Sequence, residues 1–146
     1  MKQKNLLKIA LQLLLAFAIN QNIKAQSAGD IAFVGFNADG DKDFAIVALA
    51  NIPSNTTIYF TDDETTGIGS PSALAGSEGS LTWATGADDI NAGSIIIFTD
   101  TDSSSNTNFG ASIGSVTRNG AFTLSASKDG LIAFIGTDSS TPTTYL

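Results

Sequence analysis

The chain contains no cysteine and no histidine. Without cysteine there is no disulfide, no thiol nucleophile and no acylated anchor of the bacterial lipoprotein kind. Without histidine the usual general base is missing, and with it the Ser–His and Cys–His pairs and nearly every zinc site. Basic residues are scarce as well, seven Lys and Arg against 14 Asp and Glu. The longest apolar run, Ile9 to Ile19 with Gln12 inside it, is far short of the roughly 20 residues that a membrane-spanning helix needs.

That run has another reading. Lys2, Lys4 and Lys8 precede it, and small Ala25 stands before Gln26 in "NIKAQS". A basic start, a short apolar core and a small residue form the export pattern, so the sequence predicts a signal-peptide helix over 1–25 and a mature chain over 26–146, secreted or at the cell surface. The cut removes four bases and no acid. Lys42, Arg118 and Lys128 then face all 14 acids, an excess of 11 negative charges. Such a surface repels phosphate backbones and anionic headgroups, which argues against nucleic acid as a partner and against membrane insertion after cleavage.

After the signal, apolar runs of four to eight residues alternate with clusters of Gly, Asn, Asp, Ser and Thr, the pattern of an all-β domain. Strands are predicted over 31–36, 44–50, 56–61, 80–85, 94–99, 120–126 and 130–136, about seven in all, forming an immunoglobulin-like antiparallel β-sandwich. Leu81 and Trp83 point inward, Trp83 as a core anchor, and so do Phe122 and Leu124, with Thr123 outward. The runs at 31, 44, 95 and 131 are apolar on both faces, as in strands central to a sandwich. Turns are expected at Ile52-Pro53-Ser54-Asn55, at Asn119-Gly120 as a two-residue hairpin, and at Lys128-Asp129-Gly130. Two long loops, 62–79 and 100–114, are where binding is sought first. The ending "TPTTYL" resembles the start of a further strand, which predicts that the chain is the front of a longer protein.

Acidic clusters are the only chemical motifs. "NADGDKD" (37–43) alternates side-chain oxygens as calcium loops do, yet Lys42 stands where an EF-hand needs Gly and Ala48 where it needs Glu. "YFTDDE" (59–64) and "IFTDTD" (97–102) are two apolar strands that end alike in Phe-Thr-Asp. Two readings stand for these acids. One is calcium binding through Asp39, Asp41, Asp43, Asp62, Asp100 and Asp102. The other is a hairpin loop and two strand ends whose carboxylates are solvated. Catalysis is not expected: Lys42 and Lys128 sit among acids, which holds a lysine protonated, so the many Ser and Thr have no base to activate them.

The order of elements, "GDIAFVGFNADGDKDFAIVALANIP", "TTIYFTDDE", "INAGSIIIFTD" and "FTLSASKDGLIAFIG", resembles the lamin-tail type of immunoglobulin-like module found in bacterial secreted proteins. Asp62, Ala92-Gly93 and Leu124-Ser125 with Asp129 hold the matching places, over roughly Gly29 to Gly136. The second strand, "DFAIVAL", departs from that family's run by lacking its Glu. The resemblance implies a non-catalytic attachment module of a larger exported protein, some of which carry nucleases or phosphoesterases elsewhere. The alternatives are a calcium-dependent adhesion or carbohydrate-binding module and an accessory domain of a secreted hydrolase. The partner expected is an extracellular protein or polysaccharide.

Overall fold

A computed structural model describes residues 25–67, 73–127 and 130–146. The predicted signal helix and the Lys128-Asp129 turn lie outside the described residues. The described part is a β-sandwich of two antiparallel sheets. Its strands are β1 (Ile31–Asn37), β2 (Asp43–Ala48), β3 (Thr57–Thr61), β4 (Ser80–Ala84), β5 (Ile95–Thr99), β6 (Gly110–Ala111), β7 (Ser115–Asn119), β8 (Ile132–Asp138) and β9 (Thr141–Tyr145). One sheet has the order β1-β2-β5-β6 and the other β7-β4-β3-β8-β9.

The inner faces follow the two-residue period. Phe44, Ile46 and Ala48 of β2 and Ile96 and Phe98 of β5 meet Ile58 and Phe60 of β3 and Leu81 and Trp83 of β4, all of them buried. The sheets join through aromatic rings. Phe44 stacks on Phe98 at 4.5 Å, Phe60 meets each of them edge-on at 5.0 Å, and Trp83 stands at 86° to Phe98. Edge-on and stacked geometries suit the ring quadrupoles, and each pair adds about 1 kcal/mol beyond burial. Trp83 also donates from Nε1 to the carbonyl of Ile113 at 2.8 Å, so the core anchor keeps its polar handle satisfied.

Several expectations need correction. The segment 120–126 is no strand, because Gly120 and Ala121 form a turn instead of a hairpin. Phe122 and Leu124 are nevertheless buried and Thr123 exposed, as their alternation predicts. The place beside β4 is taken by "SVTRN" (115–119), β7, a polar stretch without the apolar alternation that marks strands. Thr141–Tyr145, where the sequence suggested a further strand, forms β9 and pairs with β8.

The two-faced apolar runs also split. β8 lies between β3 and β9, and its Phe134 is buried on the sheet's outer face, stacked on Tyr59 at 5.3 Å with Tyr145 edge-on. β1 is instead an edge strand among the described residues, and none of those residues covers the outer faces of β1, β2 and β5.

Candidate functional site

Three acidic segments emerge at one end of the sandwich, because Phe44, Phe60 and Phe98 touch in the core while Asp43 precedes the first and Asp62 and Asp100 follow the others by two residues. The β1–β2 hairpin loop is held by Asn37. Its Oδ1 accepts the Asp39 N–H at 3.0 Å, its Nδ2 donates to the Asp41 carbonyl at 2.8 Å, and the Lys42 ammonium donates to the Ala38 carbonyl. Gly40 supplies the left-handed turn at φ 68°. Asp39 and Asp41 point to solvent.

Asp43 ties this loop to the second one. Its Oδ1 accepts the Asp100 N–H at 3.0 Å, while Thr101 donates from both N–H and Oγ1 to the Lys42 carbonyl at 2.8 and 2.7 Å. Asp100 adopts φ 51°, a left-handed conformation that Asp tolerates better than most residues. Asp102 accepts from Asn106 Nδ2 at 3.1 Å.

Asp62 and Asp63 serve the other sheet. Asp62 accepts the Thr123 N–H at 2.8 Å. Asp63 accepts the Glu64 N–H at 3.1 Å and the Ser77 hydroxyl at 3.2 Å on Oδ1, and the Gly76 N–H on Oδ2. Thr61 donates to the Gly79 carbonyl at 2.7 Å. Loop 62–79 is thus closed on the end of β3 by side chains that sit at its start. The expectation of solvated strand-end carboxylates fails here, since Asp62, Asp63 and Asp100 are 4%, 3% and 7% exposed. Carboxylates this deeply placed need donors, and for Asp62 and Asp63 backbone N–H groups, with the Ser77 hydroxyl, supply them.

Sequence reasoning therefore named Asp39, Asp41, Asp43, Asp62, Asp100 and Asp102, and the structure joins Asp43 directly to the Asp100 backbone. Among the described residues no three acids gather closely enough to hold a metal ion. Asp63 was missed, because nothing in the sequence distinguishes it from Asp62 beside it. A cleft of about 250 Å³ lies against this staple, lined by Thr61, Asp63, Ser80, Asn119 and Ser140 among others. Among the described residues it offers hydroxyls and the carboxylates of Asp63 and Glu78, but no cationic side chain.

The second feature is apolar. β5 pairs with β2 so that Ile95 lies opposite Val47 and Ile97 opposite Ala45. On the other side of β2 a bulge between Phe33 and Gly35 sets Val34 beside Gly35. Leu49 continues the outward phase of β2. Val34, Leu49, Ile95 and Ile97 are all about half exposed, from 47% to 57%. These aliphatic side chains form one contiguous stripe on the outside of the four-stranded sheet, with no charged residue among them.

No family model matches the chain, and neither do any curated protein or solved structure.

Proposed function

We propose that this chain is an exported, non-catalytic β-sandwich module that attaches to a protein surface through the outer face of its four-stranded sheet. The observation that carries this reading is the aliphatic stripe of Val34, Leu49, Ile95 and Ile97, each about half exposed on the outer face. Contiguous apolar surface rimmed by polar residues marks interaction sites. Phe33 and Phe36 of β1 are exposed too, at 40% and 53%, but they lie opposite inward-facing Ile46 and Phe44. The outer stripe itself provides no ring for a sugar to stack on, no hydrogen bond for its hydroxyls and no charge for an anion, which leaves an apolar protein surface as the complementary chemistry. The resemblance to lamin-tail modules of secreted proteins supports the same role. The strand-end acids are engaged with backbone donors, which favours a structural part for them over a catalytic one.

The test is export of the full chain in a secreting bacterium, comparing the natural sequence with a triple variant Val47→Thr, Ile95→Thr and Ile97→Thr. Thr keeps the strand preference and removes the apolar face. The reading expects the natural protein to be retained at the cell surface and the variant, melting within a few degrees of it, to be released into the medium. Equal distribution of the two would overturn it.

A further inference from the structure

Gln26 is an unusual residue to find buried at the start of a surface chain. Its neighbours Ala25 and Ser27 are exposed, whereas Gln26 is only 4% exposed. Its Nε2 donates to the Asn51 carbonyl at 3.2 Å, and its Oε1 is buried with no hydrogen-bond partner. It helps to line a cleft of about 570 Å³ with Ala25, Ser27, Asp30, Ala50 and Asn51. Resting on the export reading, cleavage after Ala25 makes this same Gln26 the first residue of the mature protein.

We infer that Gln26 is a modification site and cyclises to pyroglutamate. The neutral α-amino nitrogen attacks Cδ of its own side-chain amide. The N–Cδ bond forms as Cδ–Nε2 breaks, and Nε2 leaves as ammonia with a proton from the α-nitrogen. No co-reactant is needed. The product suits the cleft better than its precursor. It removes an α-ammonium whose charge is costly beside a buried side chain. It keeps the carbonyl oxygen and leaves one N–H on Cδ to face the Asn51 carbonyl in place of the amide. Cyclisation precedes folding, because in the folded chain the Gln26 amide is held by the Asn51 carbonyl. Without cyclisation the α-ammonium has one carboxylate in the cleft to meet, Asp30, which already accepts the Ser27 N–H at 2.7 Å.

The experiment is intact-mass measurement and stepwise N-terminal sequencing of the exported protein. The expected result is a mass one ammonia below that of the uncyclised chain starting at residue 26, with a terminus closed to sequencing. Pyroglutamate-specific aminopeptidase acting on the unfolded protein should reopen it at Ser27. The Gln26→Ala variant should sequence directly from residue 26. A readable Gln at position 26 would overturn cyclisation while leaving export intact. A terminus at any other residue would overturn both, and the first residue read tells the two failures apart.

Discussion

The carboxylate of Asp62 accepts the backbone N–H of Thr123 at 2.8 Å across 61 residues of chain. Asp62 follows the last residue of β3, and Thr123 lies between Phe122 and Leu124, which enter the core without forming a strand. A segment outside any ladder has no neighbouring strand to satisfy its backbone, so a side chain does so. Here the chain uses a buried carboxylate as the acceptor.

Removing that acceptor is the first prediction. Asp62→Ala leaves the Thr123 N–H without its partner, and a hydrogen bond to a charged group contributes about 1.5–3 kcal/mol. Urea denaturation should show a loss of about 2 kcal/mol with an unchanged slope. Asp62→Asn keeps an oxygen at the same place and should lose less. Equal losses for the two would mean that the carboxylate acts by something other than this bond.

Much of the sandwich was legible because burial obeys the two-residue period. Phe44, Ile46, Phe98, Leu81 and Trp83 occupy the faces that alternation assigns them. β7 was illegible for the opposite reason. Ser115, Thr117 and Asn119 alternate with Val116 and Arg118, and the strand is held by backbone pairing to β4 rather than by an apolar face. The exposed stripe was misjudged for a related cause. A run apolar on both sides has the same sequence whether rings of neighbouring strands cover it, as Tyr59 and Tyr145 do Phe134, or nothing in the described residues does. The burial of Asp62 and Asp63 could not be read either, since they accept from backbone N–H groups 61 and 13 residues away.

Close packing gives a second prediction. A Cβ at Gly79 would lie 1.9 Å from the Phe122 nitrogen, a backbone atom fixed by the burial of Phe122 and by the Arg118 guanidinium, which donates twice to the Phe122 carbonyl at 2.9 and 3.1 Å. Gly79→Ala should cost at least about 3 kcal/mol, the upper range for overpacking, and lower the thermal midpoint by more than 10 °C, in the sense expected for a domain this size. Gly67, with nothing within 4 Å of its added Cβ, is the control. Gly67→Ala should stay within about 0.5 kcal/mol of the natural protein.

The hairpin between β8 and β9 supplies a titration. The Asp138 carboxylate accepts from the Ser140 hydroxyl at 2.7 Å, the Ser140 N–H at 2.8 Å and the Thr141 hydroxyl at 3.2 Å, and these bonds, the Ser140 hydroxyl first, hold its pKa below 3.8. A folded value below the unfolded one means that the bonds stabilise the fold above pH 3.8 and that this contribution is lost as pH falls through the folded value. Carbon-detected NMR should place the Asp138 midpoint below 3.8 in the natural protein. Ser140→Ala should move it upward but not fully back, since the Ser140 N–H remains. A midpoint unmoved by that change would assign the shift to the Ser140 N–H and the Thr141 hydroxyl instead.

Calcium provides the sharpest division between the two readings of the acids. If Asp39, Asp41, Asp43, Asp62, Asp100 and Asp102 bind the ion, calcium at about 100 times its dissociation constant adds about 2.7 kcal/mol and raises the midpoint by roughly 10 °C over the value in EDTA. The geometry points the other way. Asp43 and Asp62 each spend an oxygen on a backbone N–H, Asp102 accepts from Asn106, and Asp39 and Asp41 project into solvent from a hairpin that Asn37 already holds. Building a site would mean breaking the Asp43–Asp100 link that joins the two loops, which loses part of what the ion supplies. The expected outcome is one cooperative melt with the same midpoint in EDTA and in millimolar calcium. A rise of several degrees that Asp43→Asn abolishes would show that the loops rearrange to bind, and would make the module's attachment calcium-dependent.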